Sequence, residues 1–182
     1  MSKPVSALNG ASFNGFASIR EIGPLGMITL RHKGGAALTK AIKAAVGTKV
    51  PAQRKIEIAG DKACGWMSPD EYLLVLPYAE VATALAAIAK AMEGEHHLAV
   101  DVSDARAVFR VEGDKATQVL AKLSPVDFAT LEPGELRRSR AAQVAAAMWA
   151  QDGGFTVVCF RSVAGYMMGL LTHSAQPGSE LH

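Results

Sequence analysis

The chain has 182 residues, 49% of them apolar, 20% charged and 6% aromatic, with a net charge of +2. That balance is ordinary for a folded soluble protein with a sizeable core, as one domain or two small fused ones. The basic residues are scattered except for Arg137-Arg138-Ser139-Arg140, so no nucleic-acid partner is expected.

Other classes fall away in the same manner. The two cysteines, Cys64 and Cys159, are far apart and fit no zinc spacing; they read as small apolar residues in a reducing compartment, and no metal site is expected. No charged segment followed by an apolar run opens the chain, so no signal peptide is expected. No apolar run approaches the roughly 20 residues of a membrane helix. The expectation is a cytoplasmic protein that does not enter a membrane.

Residues 1–22, rich in Ser, Asn, Gly and Ala, lack apolar periodicity and read as an extended N-terminal arm. Residues 26–31 form a strand, stopped by Gly34-Gly35. Leu38, Ile42 and Val46 share one face of a helix over 36–46, which Gly47 ends. A strand over 54–58 follows, then a short strand carrying Trp66. Ser68-Pro69-Asp70-Glu71 is a tight turn, because proline presets φ while Ser and Asp bond the local backbone. Residues 72–76 are apolar on both faces and read as an interior strand ended by Pro77. Val81, Leu85, Ile88 and Met92 mark a helix over 79–92, closed by Gly94.

Two strands, 98–103 and 107–112, form the middle of the chain. Gly113-Asp114 then opens a helix over 114–122, with Asp114 as its N-cap. A loop over 123–140 contains Pro125 and Pro133-Gly134. Strands 143–149 and 155–160 flank a Gly153-Gly154 turn, and a helix over 162–173 precedes a polar tail, 175–182. The first half reads strand, helix, strand, strand, helix, strand, which is the split βαβ order. The second half repeats it but lacks the last strand. The predicted fold class is α+β: two tandem ferredoxin-like units, halves 23–103 and 106–174, related by a pseudo-twofold, with strands 98–103 and 107–112 adjacent or nearly so. Trp66, Leu74, Val102 and Phe109 are expected in the core.

Candidates for chemistry are few. His96-His97 lacks nearby ligands for a metal and reads as a solvated loop pair. Asp101 and Asp104 bracket Ser103 but read as a side-chain-bonded turn. No strand–GxGxxG–helix phosphate loop is present. Trp66 and Tyr72 read as packing residues, and the helix over 162–173 as a core helix whose Met167-Met168 pair also suits an adaptable partner surface. Arg137, Arg138 and Arg140 are the candidates for a partner interface, since they can pair with acidic groups on a neighbour.

Three pieces of the chain resemble the gamma subunit family of heterotetrameric sarcosine oxidase: Gly65-Trp66-Met67-Ser68-Pro69-Asp70-Glu71-Tyr72-Leu73-Leu74, Val100-Asp101-Val102-Ser103-Asp104 with the following Arg106, and Phe160-Arg161-Ser162. The resemblance spans roughly residues 23 to 174. It implies a non-catalytic subunit, with a fold similar to the folate-binding domain of aminomethyltransferases. It implies alpha, beta and delta subunits as partners in an enzyme that oxidatively demethylates sarcosine to glycine and passes the one-carbon unit to tetrahydrofolate. FAD, covalent FMN, NAD and tetrahydrofolate would then sit in the partner subunits, with no catalytic residue and no cofactor in this chain. The alternative is a free-standing folate-binding protein or one-carbon transferase on the same fold, for which Asp101, Arg106 and Arg161 are the candidate ligand-binding residues.

Overall fold

The computed structural model describes residues 4–181 as eleven strands and four α-helices in two compact units, residues 25–103 and residues 4–24 with 104–181. The outermost residues of the expected arm and tail, 1–3 and 182, lie outside the described residues.

In the unit of residues 25–103, the elements in chain order are β3 (Leu25–Arg31), α1 (Ala36–Val46), β4 (Ile56–Ala59), β5 (Lys62–Ser68), β6 (Glu71–Pro77), α2 (Val81–Ala91) and β7 (Leu98–Asp101). They follow β1 (Ser12–Asn14) and β2 (Ser18–Ile22) of the other unit. The sheet order is β4-β5-β6-β3-β7, with every pair antiparallel. Removing edge strand β4 leaves the ferredoxin-like order. One face of the sheet is built because β strands alternate: Ile28 and Leu30, Cys64, and Tyr72, Leu74 and Leu76 all point to one side. Leu38, Ile42 and Val46 of α1 and Val81, Ala84 and Ile88 of α2 close over them. Gly47 ends α1 in the left-handed region at φ 75°, its N–H donating to the Lys43 carbonyl at 3.0 Å.

The other unit contains β1, β2, β8 (Arg106–Glu112), α3 (Ala116–Ala121), β9 (Leu136–Ala141), β10 (Val144–Gln151), β11 (Gly154–Phe160) and α4 (Ala164–Ser174). Its sheet runs β1-β2-β8-β11-β10-β9, again antiparallel throughout. Ile19, Phe109, Val111, Met148, Phe155 and Val157 pack with Val119 and Leu120 of α3 and Met167 and Leu171 of α4. Phe128 meets Phe155 edge to face, with centroids 5.4 Å apart. The two units therefore share one scheme. β8, β10, β11 and β2 occupy the places of β3, β5, β6 and β7, and β9 flanks its sheet as β4 does.

That correspondence revises several sequence-based expectations. Residues 1–22 are not merely an arm: β2 pairs with β8 over Ser18↔Glu112 to Ile22↔Val108 and supplies the strand missing from the second repeat. The sequence hid it because Ser18-Ile19-Arg20-Glu21-Ile22 carries only two strong apolar positions. Phe16 N–H donates to Ala175 O at 3.0 Å, and a side chain at Gly15 would meet that same carbonyl at 1.8 Å, so Gly15 permits the close approach. The stretch 123–140 is not all loop, since β9 begins at Leu136. Its Arg and Ser residues alternate on an edge strand buried only at Leu136 and Ala141, which leaves no apolar period to read. The strands on either side of residue 103 are not neighbours. β7 lies at the edge of the five-stranded sheet and β8 inside the six-stranded one.

Smaller differences concern ends and burial. α3 starts at Ala116 behind Lys115, without a side-chain cap from Asp114. Leu74 and Phe109 are fully buried, but Trp66 and Val102 are half-buried. Trp66 sits beside the bulge between Trp66 and Ser68, and Val102 lies just past the end of β7. The tail is tied down as well. Lys122 donates to Ser174 O at 2.8 Å and to the Ser179 hydroxyl and carbonyl, and Leu181 N–H donates to Gln118 Oε1 at 2.9 Å.

Candidate functional site

In the unit of residues 25–103, one end of the sheet gathers the end of β3, the β5–β6 hairpin and the approach to β7. Arg31, His32, Lys33, Asp70, Glu95 and His96, with His97 and Leu98, line a cleft of about 690 Å³ there. The hairpin turn Pro69–Asp70 places the Asp70 carboxylate between Ser68 Oγ at 3.0 Å and Arg31 Nη2 at 3.1 Å. The Ser68 hydroxyl first, and the Arg31 guanidinium second, hold that carboxyl below the usual carboxylate range. His32 N–H donates to Asp70 O at 3.0 Å, its Nδ1 accepts from Gly34 N–H at 3.2 Å, and its Nε2 lies 3.7 Å from Glu95 Oε2. His97 Nδ1 lies 2.9 Å from the Glu95 carbonyl. The His96-His97 pair, read from sequence as a solvated loop, thus shares a cleft with His32. Among the described residues, no group of three or more His, Cys, Asp or Glu side chains has the geometry of a metal site.

The residues singled out from sequence for ligand binding are spent on the chain's own structure. Asp101 ends β7, and its Oδ1 accepts from Ser103 N–H at 2.9 Å and from Ser103 Oγ at 2.5 Å. Ser103 Oγ in turn accepts from Met27 N–H at 2.9 Å, so the Asp101–Ser103 pair closes the end of the β3–β7 ladder. Arg106, in the other unit, stacks its guanidinium over Phe160 at 4.1 Å from the ring centroid. Arg161 donates to Val5 O at 3.2 Å and Ser6 O at 3.1 Å.

Arg137, Arg138 and Arg140 lie on β9, the edge strand of the six-stranded sheet. Arg138 and Arg140 are exposed, while Arg137 is half-buried and paired with Glu135 Oε2 at 3.1 Å. Two buried charges escaped the sequence reading. Arg110 donates to Thr156 Oγ1 at 2.9 Å, Gln151 O at 2.8 Å and Asp152 O at 3.2 Å, with Glu112 Oε1 3.2 Å away. Glu21, 2% exposed, accepts from Ser6 Oγ at 2.7 Å, Ala7 N–H at 2.9 Å and Gly10 N–H at 2.8 Å. A charge within an apolar-alternating strand was the available signal for Arg110; Glu21 offered none, because its partners, one hydroxyl and two backbone N–H groups, lie 11 to 15 residues away. Burial pushes the Cys64 thiol strongly upward and raises Cys159 to about 11, so neither thiol has the thiolate character of a nucleophile.

Residues 32–175 match the sarcosine oxidase, gamma subunit family. The chain belongs to the sarcosine oxidase gamma subunit family. It is 33% identical over 125 residues to the sarcosine oxidase subunit gamma of Arthrobacter sp., covering 67% of this chain and 60% of that one. Against the subunit gamma of Corynebacterium sp. (strain U-96) it is 34% identical over 127 residues, covering 68% and 59%. The aligned region thus spans about three-fifths of the length of these curated relatives. In three dimensions it is similar to a chain of heterotetrameric sarcosine oxidase from Corynebacterium sp. U-96 in complex with pyrrole 2-carboxylate. That similarity has a TM-score of 0.78 at 25% identity, covering 87% of this chain and 83% of that one. The glycine cleavage system aminomethyltransferase T from Bartonella henselae shares the fold, with a TM-score of 0.62 at 13% identity over 86% of this chain and 45% of that one. The gamma subunit family and the aminomethyltransferase thus meet on the doubled ferredoxin-like scheme.

Proposed function

We propose that the chain serves as the gamma subunit of a heterotetrameric sarcosine oxidase, a non-catalytic piece that supports assembly of the flavoenzyme. The observation that carries this reading is the TM-score of 0.78 over 87% of the chain against a chain of such a heterotetramer. In this reading alpha, beta and delta subunits are the partners. They hold FAD, covalent FMN, NAD and tetrahydrofolate, and they carry out the oxidative demethylation of sarcosine to glycine with transfer of the one-carbon unit. The complex would work in the cytoplasm.

The internal engagement of Asp101, Arg106 and Arg161 supports a passive role, because each holds a piece of the chain's own backbone or stacks on its own ring. The exposed basic residues of β9 are the proposed contact with an acidic neighbour: Arg138 and Arg140 lie exposed on the edge strand of the six-stranded sheet. Co-expression with the three other subunits should carry this chain into a complex on size-exclusion chromatography. The purified chain alone should be colourless and form no peroxide from sarcosine. Reversing charge at the exposed Arg138 and Arg140 together should weaken assembly more than it lowers the melting temperature of the isolated chain, since surface charges contribute little to folding. A chain that never co-elutes with the flavin-bearing subunits would refute the assignment.

A further inference from the structure

The described sheet edges are guarded unequally. β1 has three residues, with Asn14 bonded to Ser18 Oγ. β9 carries Arg137, Arg138 and Arg140. β4 carries Glu57, paired with Lys49 at 3.4 Å. Short strands and charged side chains are the usual ways of keeping an edge from pairing with another chain. β7 has neither a proline nor a lysine, and its first three residues are Leu98, Ala99 and Val100, with Leu98 51% and Val100 41% exposed.

The backbone of β7 is set out for a further strand. Val100 lies opposite Thr29, and Val102 N–H donates to Met27 O at 2.8 Å, so the even-numbered residues bond inward to β3. Alternation then turns the N–H and C=O of Ala99 and Asp101 to the open side. Ala99 packs against the helix-covered core, which places Leu98 and Val100 on the opposite face. The charges along this edge are polarised. At its start Lys33 and His96 line the cleft beside Leu98; the two carboxylates there, Asp70 and Glu95, already face Arg31 and His32. Lys33 has no ion-pair partner among the described residues. At the other end stands the Asp101 carboxylate.

We propose that the open edge of β7 receives an extended segment of another subunit of the same assembly, adding a sixth strand to the five-stranded sheet, with that segment's acidic end over Lys33 and His96. The inference rests on the chain being an assembly subunit. The physics is strand addition: main-chain hydrogen bonds supply affinity, and side chains at alternate positions supply specificity. Leu98 and Val100 offer the apolar contacts, and Lys33, without an ion-pair partner among the described residues, fixes the direction in which the acidic segment lies.

The test uses the full chain and a preparation of the remaining subunits made without it. Ala99→Pro removes one of the two outward N–H groups, those of Ala99 and Asp101, that a new strand would use, while sparing the bonds that the even-numbered residues make to β3. Lys33→Glu reverses the charge of that exposed side chain. Each variant should bind the remaining subunits at least about tenfold more weakly than wild type in biolayer interferometry, a loss of about 1.4 kcal/mol or more. Both should keep the wild-type melting temperature when isolated. In the wild-type complex, the Ala99 and Asp101 amides should gain hydrogen-exchange protection. If Ala99→Pro fails to fold, Lys33→Glu and the amide protection decide the matter. Binding within about twofold of wild type, or unchanged exchange at residues 99 and 101, overturns the proposal while leaving the subunit assignment intact. A wild-type chain that binds none of the other subunits removes the assignment itself and this inference with it. A self-dimer abolished by Ala99→Pro would identify a second copy as the occupant and also overturn it.

Discussion

Replacing Glu21 by Ala removes the acceptor of three hydrogen bonds at once: from Ser6 Oγ, Ala7 N–H and Gly10 N–H, all at 2.7 to 2.9 Å. The side chain is 2% exposed, so water does not readily replace the carboxylate. A hydrogen bond to a charged group contributes roughly 1.5–3 kcal/mol net, and orphaned buried donors cost roughly 1–3 kcal/mol each. The three bonds are not additive, since the loop over 6–10 can open and expose its amides, and the carboxylate's own burial cost is recovered on truncation. A loss of about 3 kcal/mol is therefore expected, or about 6–12 °C in melting temperature for a chain of this size. Urea unfolding of the variant gives the first number and differential scanning calorimetry the second. Hydrogen exchange at Ala7 and Gly10 tests the cause, because both amides should lose protection while the β8–β11 ladder keeps its own. Glu21→Gln keeps one oxygen acceptor and the shape, so it should fall between. A loss below about 1 kcal/mol for Glu21→Ala, with both amides still protected, would refute the role assigned to this carboxylate.

Phe109 is fully buried in the core of the six-stranded sheet, so Phe109→Ala should cost about 3–5 kcal/mol in denaturant unfolding. The native chain should resist Ellman's reagent at pH 8, because burial raises both the Cys64 and Cys159 thiols; two thiols should titrate once it is unfolded. The folded Asp70 carboxyl is lowered by Ser68 and Arg31. Its contribution is thus present above the unfolded carboxylate pKa and lost as pH falls through the folded value, so the acid limb of stability below about pH 4 should flatten in Asp70→Asn.

Most of the local order was legible in the sequence, because apolar period and punctuation residues act over short distances. The α1 face of Leu38, Ile42 and Val46, its Gly47 terminus, the Ser68-Pro69-Asp70 hairpin and the alternating run of β8 each depend on neighbours within a few residues. So did the repeated element order, and with it the fold class. Tertiary structure alone decided what the weakly patterned segments do. β2 is a strand because β8 has an unpaired side, and its Glu21 tolerates burial because the backbone of residues 7 and 10 turns its N–H groups toward it. β9 is a strand because β10 offers it a ladder, although Arg137-Arg138-Ser139-Arg140 has no apolar face to declare it. The same holds for the cleft: His32, Asp70 and His96 are 26 to 64 residues apart and meet because antiparallel pairing of β3 with β6 and β7 brings their ends together. Periodicity reports which face of a segment is apolar; which segment lies beside it is set by the strand order, a long-range property that no local pattern encodes.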